Sequence, residues 1–317
     1  MARGVSAQQT VILETRVAGR AQAGAVRRSE WVILAFLIYA VAASCLFPVA
    51  TVVRERIAAI NFTLIAVYAT LIAGEARRAR LAMSVVRDWL PLAAVILAYR
   101  EMGWFALPQA NHAMESHFVV WDRAVLGHGL QALIEAAGAV LPALLEIAYS
   151  LVYTLAPFAV ATLYLMRRRE LVDRFLFVFV VSVLLCYAQF PFWPSEPPRA
   201  LFPGQDLPAY DTVFRHFNLW MLGSYGIHTS VFPSAHVAGA FAAALGMRHA
   251  APDKNWVYRL LIVLATLIAV ATVYGRYHYV ADAAAGFLIA TLTAAAAETV
   301  ALRRTKVVTS AMAKELV

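Results

Sequence analysis

Tyr274-Gly-Arg-Tyr-His-Tyr-Val-Ala-Asp282 sits between two long apolar runs and carries a histidine and an aspartate four residues apart, His278 and Asp282. On a helix that spacing puts both side chains on one face, with the carboxylate within reach of one ring nitrogen. A carboxylate so placed orients the imidazole and fixes its tautomer. The other nitrogen is then free to attack or to take a proton. Phe232-Pro-Ser-Ala-His236 supplies the complement. His236 follows Pro-Ser at what reads as the start of an apolar helix, where unpaired backbone N–H groups favour an anion. Two histidines, a carboxylate and an anion cradle point to phosphate chemistry.

Composition places that chemistry in a membrane. The 317 residues are 62% hydrophobic and only 15% charged, with a mean hydropathy of +0.68, which is not the balance of a soluble domain. The net charge of +8 would suggest nucleic acid in a soluble protein. Here the basic residues form short clusters between apolar runs, the pattern of the positive-inside rule, and no nucleic-acid partner is expected. Cys45 and Cys186 both fall inside apolar runs and read as inert packing residues.

Eight runs approach the length needed to cross a bilayer of roughly 30 Å: about 31–53, 57–74, 89–107, 140–166, 171–193, 233–250, 257–276 and 279–302. With eight spans, one face collects the arginine-rich N-terminus, Arg77-Arg78-Ala-Arg80, Arg167-Arg168-Arg169, the Arg248 to Lys254 segment and Arg303-Arg304-Thr-Lys306. The expectation is an all-α polytopic membrane protein of about eight transmembrane helices with both termini in the cytoplasm. Residues 1–30 form a cytoplasmic N-terminal segment and 304–317 a cytoplasmic tail. The first apolar run is too long for a signal-peptide core and reads as an uncleaved span. On the far face, residues 108–139 predict one or two interfacial amphipathic helices, and the Pro- and Gly-rich 194–232 an ordered lid or loop. Both histidine-bearing stretches open onto that outer face, together with Phe190-Pro-Phe-Trp-Pro-Ser-Glu-Pro-Pro-Arg199.

These three stretches, in this order, resemble the type 2 phosphatidic acid phosphatase (PAP2) superfamily, over about residues 115–300. The family pattern is an Arg-containing first motif, Pro-Ser-Gly-His second, and Arg…His-x-x-x-Asp third. Pro-Pro-Arg199, Pro-Ser-Ala-His236-Val-Ala and Tyr-His278-Tyr-x-x-Asp282 look most like the branch of inositol phosphotransferases and inositol phosphorylceramide synthase-like enzymes. The resemblance implies a six-helix PAP2-type core from the third span onward, as a catalytic domain over 89–303, with two additional transmembrane helices in 31–88. It implies His278 as the nucleophile forming a phosphohistidine, Asp282 orienting it, and His236 as general acid and then base. Arg199, Ser234 and Arg276 would hold the phosphoryl oxygens, with no metal and no cofactor. The sequence departs from the phosphatase pattern at Phe192 for a Lys, at Thr272 for an Arg, and at Ala235 for a Gly. These losses favour the phosphotransferase branch or a specialised phosphatase.

The implied function is an integral-membrane lipid phosphotransferase of a bacterial inner or plasma membrane, its site at the outer face. It would move a phosphate-linked headgroup, with phosphoinositol one example, between lipid or alcohol substrates. Alternatives are a phosphatase for phosphatidate or a polyprenyl (di)phosphate, and a non-catalytic lipid transporter. The partners expected are a membrane phospholipid or polyprenyl-phosphate substrate and the bilayer itself; the sequence names no protein partner. His236, His278 and Asp282 as a two-histidine, one-carboxylate metal site is a further alternative, opposed by the neighbouring arginines. Arg215, Glu146 and Tyr149 are possible headgroup contacts, with a structural Arg100–Glu146 pair and aromatic packing of Tyr149 and Tyr153 as the competing readings. His228, eight residues before His236, is a further candidate in the same loop.

Overall fold

The computed structural model describes residues 24–78, 81–105, 111–227, 229 and 231–315, with side chains to residue 301 except that of Arg78. The segment before residue 24, the loop arginine Arg80, the side chains of the C-terminal tail and His228 lie outside the described residues. Among the described residues the chain is all helix and turn, with no strand. The main helices are α1 (Arg28–Leu46), α2 (Thr51–Arg78), α3 (Leu81–Met102), α4 (Ala113–Val125), α5 (Gln131–Glu135), α6 (Val140–Leu165), α7 (Val172–Gln189), α8 (Pro198–Leu201), α9 (Val213–Tyr225), α10 (Ala235–Ala250), α11 (Asn255–Tyr274) and α12 (Val280–Glu315).

Among the described residues, seven helical segments are long and apolar enough to cross a membrane: Arg28–Leu46, Thr51–Arg77, Leu81–Met102, Val140–Leu165, Arg169–Gln189, Asn255–Tyr274 and Val280–Ala301. The remaining apolar run becomes α10, which has 16 residues and so reaches only about 24 Å. It is buried on nearly every side against α7, α11, α12 and α6. Its run of Ala and Gly lets the neighbouring backbones approach closely, as small residues do between membrane helices. The helix carrying His236 is thus the hub of the bundle.

Element boundaries differ from the hydropathy reading in two places. The first run was expected to continue to residue 53, but α1 stops at Leu46, because Pro48 holds the preceding residue extended. The third was expected to start at 89, yet α3 begins at Leu81, and the expected domain boundary at residues 88/89 falls inside it. Its first turns escaped notice because they are charged. Arg87 is 1% exposed and pairs with Glu30 at 2.6 Å and Glu75 at 2.5 Å. Asp88 accepts from Arg27 at 2.6 Å and Arg169 at 2.5 Å, and from the Tyr164 hydroxyl. This ion cluster ties α1, α2 and α3 to the end of α6. The two added helices also share an apolar core with α3 and α7, including Ile33, Leu37, Ala98 and Val183.

The segment expected as amphipathic helices forms α4 and α5, joined by a π-helical turn at Leu126–Leu130. The 194–232 stretch is more helical than a lid. It folds into α8 and α9, the latter capped by Thr212, whose side chain accepts from the Arg215 backbone N–H. Arg100 does not meet Glu146: it donates to the Tyr225 carbonyl, while Glu146 pairs with Arg215.

Candidate active site

The site is assembled at one end of the bundle by three loops stitched together through their backbones. The Arg199 N–H donates to the Arg276 carbonyl at 3.2 Å, Val231 N–H to the Ser195 carbonyl at 3.3 Å, and Ser234 N–H to the Asp282 carbonyl at 3.0 Å. Ser195 Oγ accepts from Phe232 N–H at 3.1 Å. All three motifs are therefore held in one register without a side chain from the candidate histidines or Asp282.

The loop that delivers His278 is built by the end of α11. The Thr272 carbonyl accepts from both Tyr277 N–H (2.9 Å) and His278 N–H (3.0 Å), while Arg276 takes a left-handed conformation with φ of 61°. Glycine usually fills that position after a helix, and a larger residue there is strained. An ion pair holds it: Arg276 is fully buried and its guanidinium sits 2.6 Å from Asp122 of α4. Asp122 also accepts from the Val280 N–H at 2.7 Å, capping the start of α12. Burial raises the Asp122 carboxyl, and the Val280 N–H and Arg276 pull it back, to about 6. On the other side, Gly286 packs so closely that an added Cβ would lie 2.3 Å from the Ser234 carbonyl oxygen. That contact brings α12, with Asp282, against the start of α10, with His236.

The candidate groups lie in line. Asp282 Oδ2 is 3.3 Å from His278 Nδ1 and accepts from Tyr279 N–H at 2.9 Å. His278 Nε2 faces His236 Nδ1 at 3.4 Å, and the Tyr153 hydroxyl lies 3.2 Å from His236 Nε2. Such a row does not converge on one point as a metal's ligands must. Among the described residues no group of three His, Cys, Asp or Glu side chains has metal-binding geometry. Burial, with the Arg199 charge as a second cause, pushes the His278 imidazole down to about 3, so its ring is neutral with a lone pair available.

His236, His278, Arg199, Tyr149 and Tyr153 line a cavity of about 470 Å³ whose other walls are mostly apolar, including Leu92, Val95, Phe179 and Val183. Arg199 lies against the Tyr277 ring (5.7 Å to its centroid) and donates to the Tyr277 carbonyl at 3.3 Å. Tyr149 stacks on His236 at 5.3 Å and on Tyr277 at 4.2 Å. Its place is thus both in the aromatic packing and on the cavity wall.

Four residues expected to contact the substrate lie elsewhere. Ser234 is fully buried, and its hydroxyl caps α10 by accepting from Val237 N–H at 3.3 Å. Arg276 is committed to Asp122 and does not line the cavity. Arg215 and Glu146 lie behind Tyr277 as a buried pair at 3.2 Å. Glu146 also accepts from Asn218 Nδ2 (2.7 Å) and the Tyr277 hydroxyl (2.6 Å). These charges lie against Tyr277, which lines the cavity. Asp122 and Tyr277 escaped the sequence reading. Asp122 leaves a faint signal, an acid on the inward side of an amphipathic helix.

In comparison with known proteins, the profile of the PAP2 superfamily matches residues 117–296. No curated protein and no solved structure matches the chain. The matched span begins in α4 and ends within α12, enclosing every residue of the row from Tyr153 to Asp282.

Proposed function

The chain belongs to the PAP2 superfamily, an all-helical membrane protein of lipid phosphatase or phosphotransferase type, and from that premise we propose that it transfers a phosphate-linked headgroup from a phosphodiester lipid to an alcohol. The observation that carries this reading is the charge at the histidine end of the cavity: among the described residues Arg199 is the guanidinium whose charge acts on His278, while Arg100, on the same cavity wall, donates to the Tyr225 carbonyl, and Arg276 and Arg215 are both spent on carboxylates. One guanidinium balances the single charge of a phosphodiester. A phosphomonoester carries close to two and calls for more cations.

In the first step His278 Nε2 attacks phosphorus, the bond to the departing alcohol oxygen breaks, and His236 gives that oxygen its proton. Asp282 accepts from Nδ1 and stabilises the charge that develops on the ring. In the second, an incoming hydroxyl loses its proton to His236 and attacks phosphorus, and the N–P bond breaks. Arg199 holds the non-bridging oxygens throughout. The apolar cavity suits a lipid chain and limits competing water. The active site on this reading faces the outer side of the membrane, with both termini in the cytoplasm, as the basic clusters favour.

Purified protein given phosphatidylinositol labelled at phosphorus, with and without a long-chain alcohol, tests this. The expected product is the labelled headgroup on the added alcohol, with an acid-labile phosphohistidine lost in His278→Ala. Free inorganic phosphate or free headgroup phosphate as the sole product, whatever the acceptor, would establish the hydrolase instead. A protein that never becomes labelled would leave only transport.

A further inference from the structure

The Tyr153 hydroxyl closes the row that begins at Asp282, and with Asp282 as an ionised carboxylate the direction of every hydrogen bond along it follows from the first. Asp282 Oδ2 already accepts from Tyr279 N–H, so it is the acceptor for His278 Nδ1 as well. His278 is then protonated on Nδ1 and bare on Nε2. The group facing Nε2 at 3.4 Å, His236 Nδ1, must be the donor. A neutral His236 protonated on Nδ1 is bare on Nε2, and the hydroxyl 3.2 Å away on Tyr153 must donate to it. Tyr153 belongs to α6, one turn beyond Tyr149, and is 54% exposed on the cavity wall.

We propose, resting on the phosphohistidine reading above, that Tyr153 is the positioning residue of the general acid: its hydroxyl keeps Nδ1 of His236 as the nitrogen that exchanges a proton with the substrate. Entry of an anionic phosphate favours the charged imidazolium, and Nε2 takes its second proton from cavity water beside Tyr153. The Tyr153 hydroxyl then turns and accepts from Nε2–H, which a phenol can do because it both donates and accepts. The Nδ1 proton passes to the departing oxygen as the N–P bond forms and the P–O bond breaks, leaving His236 neutral with Nε2–H still held by Tyr153. Bare Nδ1 then takes the proton of the incoming hydroxyl as the N–P bond breaks. When product leaves, Nε2 loses its proton to cavity water beside Tyr153 and the resting tautomer returns. The ring is thus fixed on three sides: by His278, by Tyr153 and by the stacked face of Tyr149.

Tyr153→Phe keeps the ring and removes the hydroxyl. Wild-type protein and this variant are mixed with phosphorus-labelled phosphatidylinositol, and the rate of phosphoenzyme formation is followed across pH. The acid must be protonated, so this rate falls as pH rises through the His236 ionisation. Without the accepting hydroxyl the imidazolium is less stable, and that fall comes at lower pH. We expect a rate about 10-fold lower at neutral pH, a fraction of what a whole general acid supplies, with the limb displaced downward. Tyr153→Gln, whose amide both donates and accepts, restores part of the rate and covers the case in which the Phe variant fails to fold. An unchanged rate, or a uniform drop with the limb unmoved, overturns the proposal. Failure of the wild-type protein to form any phosphoenzyme strikes the proposed function instead.

Discussion

Arg276 and Asp122 form a fully buried ion pair at 2.6 Å, linking the loop that carries His278 to a helix more than 150 residues earlier in the chain. The pair fixes a left-handed backbone turn two residues before His278.

Removing one member of such a pair strands the other charge out of water. Arg276→Ala is expected to cost about 3–5 kcal/mol of stability, read as a fall in the melting temperature of the detergent-solubilised protein. Replacing both partners, as Arg276→Met with Asp122→Leu, should recover much of that loss. If Arg276→Ala instead raised KM for the lipid and left the melting temperature unchanged, the residue would be a phosphate ligand after all.

Glu146 receives three donors, from Arg215, Asn218 and Tyr277. Glu146→Ala should leave a buried guanidinium unpaired and loosen the Tyr277 ring against Arg199, with a loss of about 3 kcal/mol or more. The expected kinetic consequence is a lower kcat through misplacement of Arg199. A stable variant with altered headgroup preference would return Glu146 to a role in recognition.

His278 carries a pH signature. Its folded value is about 3 against an ordinary 6.5, so the unfolded chain takes up a proton as pH falls through 6.5 and the native protein does not until near 3. The stability it contributes is full above 6.5 and is lost as pH falls through the acid range. Asp122 acts with the opposite sign: raised to about 6 from 3.8, it contributes stability below 3.8 that is lost as pH rises through 6. His278→Asn therefore should show a shallower decline of melting temperature than the wild type between pH 6.5 and 4. Parallel curves would mean that the native imidazole titrates normally.

At the opposite end of the bundle, Arg87 is buried between Glu30 and Glu75. Arg87→Ala should cost about 3–5 kcal/mol by leaving buried Glu30 without its cation and Glu75 with Arg27 alone, 3.9 Å away. That loss should release α1 and α2 from the remainder, seen as faster proteolysis within Thr51–Arg78 than in the wild type. An equally resistant variant would show that the apolar contacts alone hold these helices.

Much of the fold was legible because lipid-facing helices must be long and apolar and must satisfy their own backbone. Three members of the candidate row were legible too. His278 and Asp282 are neighbours by helical spacing, and His236 announces itself by the Pro-Ser cap that starts its helix. The charged groups were not. Hydropathy treats Arg87, Asp88, Glu146 and Arg215 as interruptions, and only packing reveals which carboxylate each cation meets.

Sequence by itself determined the helical membrane architecture, which depends on local period and run length, and its three motifs, through their resemblance to a known family, pointed to the superfamily and to His236, His278 and Asp282 as the candidate site. Tertiary structure alone decided what the arginines do. Arg199 reaches the cavity while Arg276 and Arg215 turn away from it, because burying a guanidinium requires a carboxylate at hydrogen-bond distance. Those carboxylates, Asp122 and Glu146, come from helices remote in the chain. Likewise it alone set Tyr153 against His236, across 83 residues of sequence.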